Sequence, residues 1–151
     1  MERLIGNLHR WFGLATLVLF MFTGQIMIHH QPPVADMEMP LRLLFRSRHI
    51  YVLLGGLVNL LVGLRYVLPA AGWRRIAALS ASGLALSSAP LLGAAFFAEA
   101  AGTGRPGPLS PLGLVAAFLG ACVYASVTWN LPPDGRRECR TVTIRNAAGE
   151  N

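Results

Sequence analysis

Four apolar stretches, separated by short polar segments, constrain this chain more than any other feature of its sequence. They cover residues 11–28, 50–68, 76–98 and 112–129. Each is 18 to 23 residues long, and a helix of about 20 residues spans the roughly 30 Å hydrocarbon core of a bilayer. The sequence therefore predicts an all-α fold: a four-helix transmembrane bundle over residues 1–130, followed by a mobile cytoplasmic tail over residues 131–151.

The composition is also that of a membrane protein. Hydrophobic residues make up 54% of the chain and charged residues only 13%, which is below the charged fraction of ordinary soluble domains. All 13 basic residues are arginines, and almost all lie between the apolar stretches. The net charge of +6 therefore indicates membrane topology and contact with anionic lipid headgroups. The bilayer is the expected partner, and no nucleic acid is expected.

The arginines are distributed unevenly on the two sides of the predicted bundle. Nine lie in the N-terminal segment, the second loop with its flank and the tail, and four lie in the first and third loops. Because positive loops stay in the cytoplasm, both termini are predicted to be cytoplasmic, in a bacterial inner membrane. Trp11, Trp73 and Trp129 fall at the predicted cytoplasmic ends of helices, where an indole side chain prefers to lie.

Small residues at helical spacing predict where the helices touch, because close packing drives helix association in lipid. In the second stretch Gly56, Asn59 and Gly63 share a face with His49. The corresponding residues of the fourth stretch are Gly113, Ala117, Gly120 and Tyr124, and those of the third are Ser80, Ala81, Ser87, Ser88 and Pro90. Packing within the bundle is the simplest interpretation of these faces, and binding of another membrane protein is the alternative.

Few polar side chains fall at membrane depth, where an unpaired one is costly. Gln25 and Asn59 are the most central. No Asp or Glu lies in the middle of a stretch, which argues against a proton or cation pump that relies on carboxylates.

The histidines are the strongest candidates for chemistry. His29 and His30 end the first stretch and His49 opens the second, so antiparallel pairing is expected to bring them level at the outer side. Two imidazoles on neighbouring helices can ligate a haem iron. We expect His30 and His49 as the axial pair of a haem b, His29 as a competing ligand, and Gln25 or Asn59 as hydrogen-bond donors to the cofactor. The space for it would come from small residues, namely Gly24, Gly55 and Gly56.

A metal site is a second interpretation of the same region. Met37 and Met39 lie in the first outer loop, close in sequence to His29 and His30. Thioether and imidazole ligands together suit copper(I), so His29, His30, His49, Met37 and Met39 are candidate metal ligands.

His9 is separate from this group. It lies 21 residues before His30, about 31 Å along a helix. No other histidine falls on its side of the membrane, so the sequence predicts no second ligand there.

The first stretch resembles a known family. The segment LHRWFGL at residues 8–14, followed by Thr23 and Gly24, is similar to the opening helix of PepSY-associated transmembrane proteins. Some members of that family are haem-containing inner-membrane reductases with helix histidines as ligands, so the resemblance implies haem binding. It covers about the first 25 residues. Residues 44–51, with Asn59 and Leu60, also resemble small bacterial four-helix membrane proteins, which implies the fold without an activity.

Three functions are therefore considered. The most specific is a haem b electron-transfer protein of the bacterial inner membrane, with quinol as a candidate donor. The alternative is a non-enzymatic subunit or scaffold that binds another membrane protein. The third is the handling of copper or another metal at the outer face.

Overall fold

The computed structural model describes residues 2–131, and within that range the chain folds into four antiparallel helices. They are α1 (Glu2–His29), α2 (Met39–Leu64), α3 (Trp73–Ala95) and α4 (Leu109–Thr128). A 3-10 turn, Val34–Asp36, precedes α2, and α3 continues as a π-helical segment, Phe96–Thr103. All four are long and apolar enough to cross a membrane. The predicted all-α fold of four long apolar helices is confirmed, and the predicted tail of residues 131–151 lies outside the described residues from residue 132 onward.

The first two helices begin earlier than the apolar stretches suggested. Helix α1 begins at Glu2 rather than at residue 11, and α2 begins at Met39 rather than at residue 50. Pro40 falls in the first turn of α2, where proline is well tolerated because the N–H that it lacks has no helical partner there. At 26 residues, α2 is about 39 Å long and extends beyond the hydrocarbon core. Hydropathy marks only the part of a helix that lipid surrounds.

The third helix ends later than predicted. Glu99 was expected to open a loop, but it lies in the π-helical segment that extends α3 to Thr103. Its side chain is buried, with 4% of its surface exposed. The helix ends only at Gly104, whose φ of 63° is a left-handed conformation that favours glycine.

Glycines allow the helices to approach closely, as the small-residue pattern predicted for α2 and α4. A Cβ at Gly13 of α1 would lie 2.6 Å from the Leu60 side chain of α2, and one at Gly63 would lie 2.9 Å from the backbone nitrogen of Arg10. In α4, a Cβ at Gly120 would lie 2.8 Å from the backbone oxygen of Ala81. Backbone packing of this kind leaves no room for another molecule between α1 and α2 or between α3 and α4.

Candidate functional site

His9 lies at the centre of a buried polar cluster in the half of the bundle that contains the N-terminus of α1. Its Nδ1 is 2.9 Å from Asn59 Oδ1 in α2, and its Nε2 is 2.6 Å from Ser82 Oγ in α3. None of the three side chains is more than 2% exposed. The expectation that His9 has no partner in its half of the bundle considered only histidines and missed these two neutral partners. We call His9, Asn59 and Ser82 the His9 cluster.

The hydrogen bonds of Asn59 fix the direction of the others. Its Nδ2 donates to the carbonyl oxygens of Gly55, at 2.9 Å, and Ala85, at 2.8 Å. The amide oxygen therefore accepts from His9 Nδ1–H, and in the neutral imidazole Nε2 accepts from the Ser82 hydroxyl. The cluster thus joins α1, α2 and α3 with every polar atom paired.

The order hydroxyl, imidazole, amide is also the order of nucleophile, base and orienting group in hydrolases. Ser82, however, is 2% exposed, and neither a substrate nor water reaches its oxygen in this arrangement. Because each member ties one helix to another, the geometry supports cohesion of the bundle.

Two tyrosines flank the His9 cluster. The Tyr66 ring lies 5.8 Å from the His9 ring and stacks on Tyr124 at 5.6 Å. The Tyr66 side chain is half-buried. Its hydroxyl makes no hydrogen bond within residues 2–131. The Tyr124 hydroxyl accepts from the backbone N–H of Val67 at 2.7 Å and so attaches the α2–α3 connection to α4.

His49 packs against α1 at the opposite half of the bundle. Its Nδ1 lies 2.9 Å from Thr23 Oγ1, and its ring stacks on Phe20 with centroids 4.1 Å apart. The Thr23 hydroxyl donates to the Phe20 carbonyl, so it accepts from His49 Nδ1–H. The Nε2 of His49 keeps its lone pair.

His29 and His30 have the same tautomer. Nδ1 of His29 donates to the Gln25 carbonyl at 2.9 Å, and Nδ1 of His30 donates to the Pro32 carbonyl at 3.1 Å. In metal-binding histidines the nitrogen that does not bind the metal commonly donates in this way. All three histidines therefore have Nε2 available as a ligand atom.

The structure does not place the predicted axial ligands, His30 and His49, at the same height along the bundle. His49 lies beside Gly24, whose added Cβ would be 3.4 Å from the imidazole, whereas the His30 ring contacts Phe45. Gly24 and His30 are six residues apart in the chain, so the two histidines are offset by about 9 Å along the bundle. The expected pairing assumed that His49 opens α2, but α2 begins ten residues earlier, at Met39.

The space expected for a haem is occupied. Gly24 contacts His49, Gly55 contacts Leu92, and Gly56 contacts α1. Asn59 lies ten residues beyond His49 along α2, about 15 Å away, and its amide is fully bonded within the His9 cluster. Gln25, the other candidate donor, is exposed. A haem held by His30 and His49 would therefore require a different arrangement of α1 and α2 at this end of the bundle.

The candidate metal ligands are also dispersed. Met37 is buried in an apolar cluster with Val34 and Leu44, and Met39 Sδ accepts from the Arg42 guanidinium at 3.4 Å. Among the described residues, no group of three or more His, Cys, Asp or Glu side chains is placed to hold a metal ion.

A buried ion pair at the His49 end was not predicted. Arg48 Nη2 lies 3.0 Å from Glu99 Oε2. The other carboxylate oxygen accepts from the backbone N–H of Leu109 at 2.8 Å, and the Ser110 hydroxyl donates to Oε2 at 2.6 Å. The Glu99 carboxylate therefore accepts hydrogen bonds from the start of α4 and also neutralises the charge of Arg48 in α2. Its position after the apolar run of α3 was the one signal in the sequence that could have indicated it.

An apolar groove opens on the exposed side of the bundle between α1 and α3. Its volume is about 420 Å³. It is lined by Trp11, Phe12, Ala15, Thr16, Leu19, Ala89 and Pro90. We call this the α1–α3 groove. Its walls are almost entirely hydrocarbon, so it suits an apolar occupant from within the bilayer.

Comparisons with protein-family models, curated proteins and solved structures give no significant match.

Proposed function

We propose that this chain is a multi-pass protein of the bacterial inner membrane with both termini in the cytoplasm. Nine of the 13 arginines belong to segments that this orientation places inside. The strongly exposed Trp11, Trp73 and Trp129 all lie near the His9 end of the bundle, as expected for a belt of indoles at one interface.

In that membrane we propose that the protein is a non-enzymatic subunit that binds a transmembrane helix of another membrane protein in the α1–α3 groove. The observation that carries this proposal is the groove itself. The His9 cluster and the Arg48–Glu99 pair are engaged in joining helices, whereas the groove presents an unfilled apolar surface to the bilayer.

The α3 side of the groove favours a helix as the occupant. Ser80, Gly83 and Ser87 are exposed on the same face of α3 as Pro90, at spacings of three and four residues, and extend that face beyond the groove. Small residues let a second helix backbone approach closely. Pro90 has no N–H, so it cannot bond the carbonyl of Leu86, one turn earlier. A partner helix of apolar side chains with one Ser or Thr hydroxyl would fill the groove and satisfy this carbonyl.

We expect a photoreactive benzophenone side chain at Ala15, in the groove, to form one discrete adduct with a second membrane protein in native membranes. The same group at Ala125, exposed on α4, is the matched control and should give only lipid adducts. Gel electrophoresis and mass spectrometry of the adducts measure the difference. Adducts that are the same at both positions, or an Ala15 adduct with the mass of two copies of this chain, would contradict the proposal.

Haem binding with electron transfer from quinol is retained as a second proposal, because all three histidines at the His49 end have a free Nε2 lone pair. It requires the ends of α1 and α2 to move so that His30 and His49 become level. The same lone pairs support copper or other metal binding as a third proposal, although the thioethers of Met37 and Met39 are engaged elsewhere.

The haem proposal predicts a Soret band in protein purified from haem-replete cells, with sharpened visible bands after dithionite reduction. His30→Ala and His49→Ala should each abolish the reduced spectrum, while His9→Ala should not shift its bands. A wild-type protein without a Soret band would exclude this proposal. Metal analysis of the same sample checks the copper alternative.

A further inference from the structure

Arg3, Asn7 and Arg10 form an exposed polar stripe near the start of α1. Their spacings of four and three residues place them on one face of the helix. Four residues after Arg10 the same face becomes apolar at Leu14, which is 48% exposed. A helix that passes from the headgroup region into hydrocarbon changes in this way. We call Arg3, Asn7 and Arg10 the Arg3–Arg10 stripe.

The Arg10 side chain is held against α2. Its Nε donates to the carbonyl oxygen of Gly63 at 3.0 Å, and its Nη1 lies 3.5 Å from Asn7 Oδ1. A Cβ at Gly63 would lie 2.9 Å from Arg10 Cγ, so the contact depends on glycine. Arg10 is nevertheless exposed, and its other N–H groups have no acceptor among residues 2–131. The guanidinium therefore has a defined position and donors left over for a ligand.

The Arg3–Arg10 stripe has no counter-ion within residues 2–131. The carboxylate of the neighbouring Glu2 accepts from the backbone N–H of Leu68 at 3.0 Å, which directs it toward the α2–α3 connection. Trp11, which follows Arg10, is 72% exposed, as expected for an indole at the membrane interface. Two uncompensated positive charges thus lie at the depth of the lipid phosphates.

The boundary between α1 and α2 continues the stripe as an apolar surface. Leu60 of α2 contacts Gly13 of α1. Leu57 and Leu64 lie three and four residues from Leu60, on the same face of α2, and are 44% and 65% exposed. Together with Leu14 they offer a hydrocarbon surface next to the arginines, which suits the acyl chains of a lipid.

We infer that the Arg3–Arg10 stripe binds the phosphate of one anionic phospholipid, whose acyl chains lie along the boundary between α1 and α2. Charge complementarity identifies the ligand, because guanidinium groups bind phosphate oxygens through several donors at once. Arg3 and Arg10 are about 10 Å apart along the helix, with the donor amide of Asn7 between them. Phosphatidylglycerol has the required net negative charge, whereas phosphatidylethanolamine is neutral overall.

The lipid site is separate from the α1–α3 groove. The groove opens toward α3, whereas Arg10 lies against Gly63 of α2, and no member of the stripe lines the groove. The inference therefore requires the membrane location but not the proposed partner protein. A failed photo-crosslink at Ala15 would leave it standing.

Native mass spectrometry of the detergent-solubilised protein, titrated with phosphatidylglycerol or with phosphatidylethanolamine of the same acyl chains, tests the site. The wild-type protein should bind phosphatidylglycerol several-fold more tightly. Arg10→Gln should reduce this preference by roughly 5-fold, the usual contribution of one arginine beside an anionic surface. Arg74→Gln removes the same charge from the same end of the bundle, where the Arg74 guanidinium lies over the Trp73 ring, and should leave the preference unchanged.

Equal affinity for the two lipids, or the same loss in Arg10→Gln and Arg74→Gln, would overturn the inference. Inorganic phosphate at the concentration of the lipid should not displace phosphatidylglycerol, because it lacks acyl chains. Displacement would show that the stripe binds free phosphate and would overturn the lipid assignment.

Arg3→Gln keeps the test independent of folding. Arg3 makes no hydrogen bond to any residue from 2 to 131, so its replacement removes no contact of the bundle, and a far-UV spectrum checks the fold. The preference for phosphatidylglycerol should again fall by roughly 5-fold. A folded Arg3→Gln protein with the wild-type preference would overturn a phosphate contact shared by the two arginines.

Discussion

Replacement of Glu99 by alanine is expected to lower the free energy of unfolding by about 3–5 kcal/mol, the usual effect of removing one partner from a buried ion pair. The Arg48 side chain is only 11% exposed, so its charge would remain in a poorly solvated site. The backbone N–H of Leu109 and the Ser110 hydroxyl would also lose their acceptor. Reversible unfolding in mixed detergent micelles, followed by circular dichroism, measures the change.

Two further variants separate the effect of the Glu99 charge from the effect of its hydrogen bonds to the start of α4. Glu99→Gln keeps an oxygen that can accept from Leu109, so its loss should be smaller than that of Glu99→Ala. The double variant Arg48→Met with Glu99→Gln removes both charges and should lose less than the sum of the two single changes. Arg46→Ala, at an exposed arginine two residues away, should change stability by no more than about 0.5 kcal/mol. A Glu99→Ala effect as small as that of Arg46→Ala would show that the pair does not stabilise the fold.

The architecture was accessible from the sequence because a helix that crosses lipid must be apolar over a fixed length. That condition reports only the segment within the membrane. The first ten residues of α2 include Arg42, Arg46 and Arg48, which make this segment polar. The apolar pattern therefore did not indicate that α2 begins there, although helical backbone hydrogen bonds continue through these residues. Gly102, just after Glu99, similarly suggested a loop, although the π-helical segment continues to Thr103.

The polar residues were identified more readily than their partners. Asn59 was recognised from its depth in the membrane, and His9 was noted only as a histidine apart from the other three. The hydrogen bond between them depends on how α1 is placed along α2. Gly13 and Gly63 set that placement through close contacts, which no periodicity in the sequence specifies. The same placement of α1 along α2 leaves His30 and His49 at different heights along the bundle. In α3, serines occur on both sides of the helix. Ser80, Ser87 and Ser88 were assigned to the contact face, but only Ser88 of these is buried, and the buried Ser82 was not assigned to it.

Gly120 should tolerate no side chain. An added Cβ would lie 2.8 Å from both the backbone oxygen of Ala81 and the backbone nitrogen of Ala85, and backbone atoms of α3 cannot rotate away as a side chain would. The α3–α4 pair must therefore separate. We expect Gly120→Ala to lower the free energy of unfolding by roughly 1–3 kcal/mol, the range for overpacking a close contact, in the same mixed-micelle unfolding experiment.

Gly83 offers the matched control, because it lies in α3 with nothing within 4 Å of its added Cβ. There the same glycine-to-alanine change meets no neighbour and should stabilise the helix by about 0.5–1 kcal/mol through reduced backbone freedom. The two variants add the same methyl group to transmembrane helices, so opposite signs isolate helix contact from helix propensity. A stabilising Gly120→Ala would mean that α4 does not pack on α3 at the distance described, and the burial of Tyr124 and Ser110 on that helix would then also be wrong.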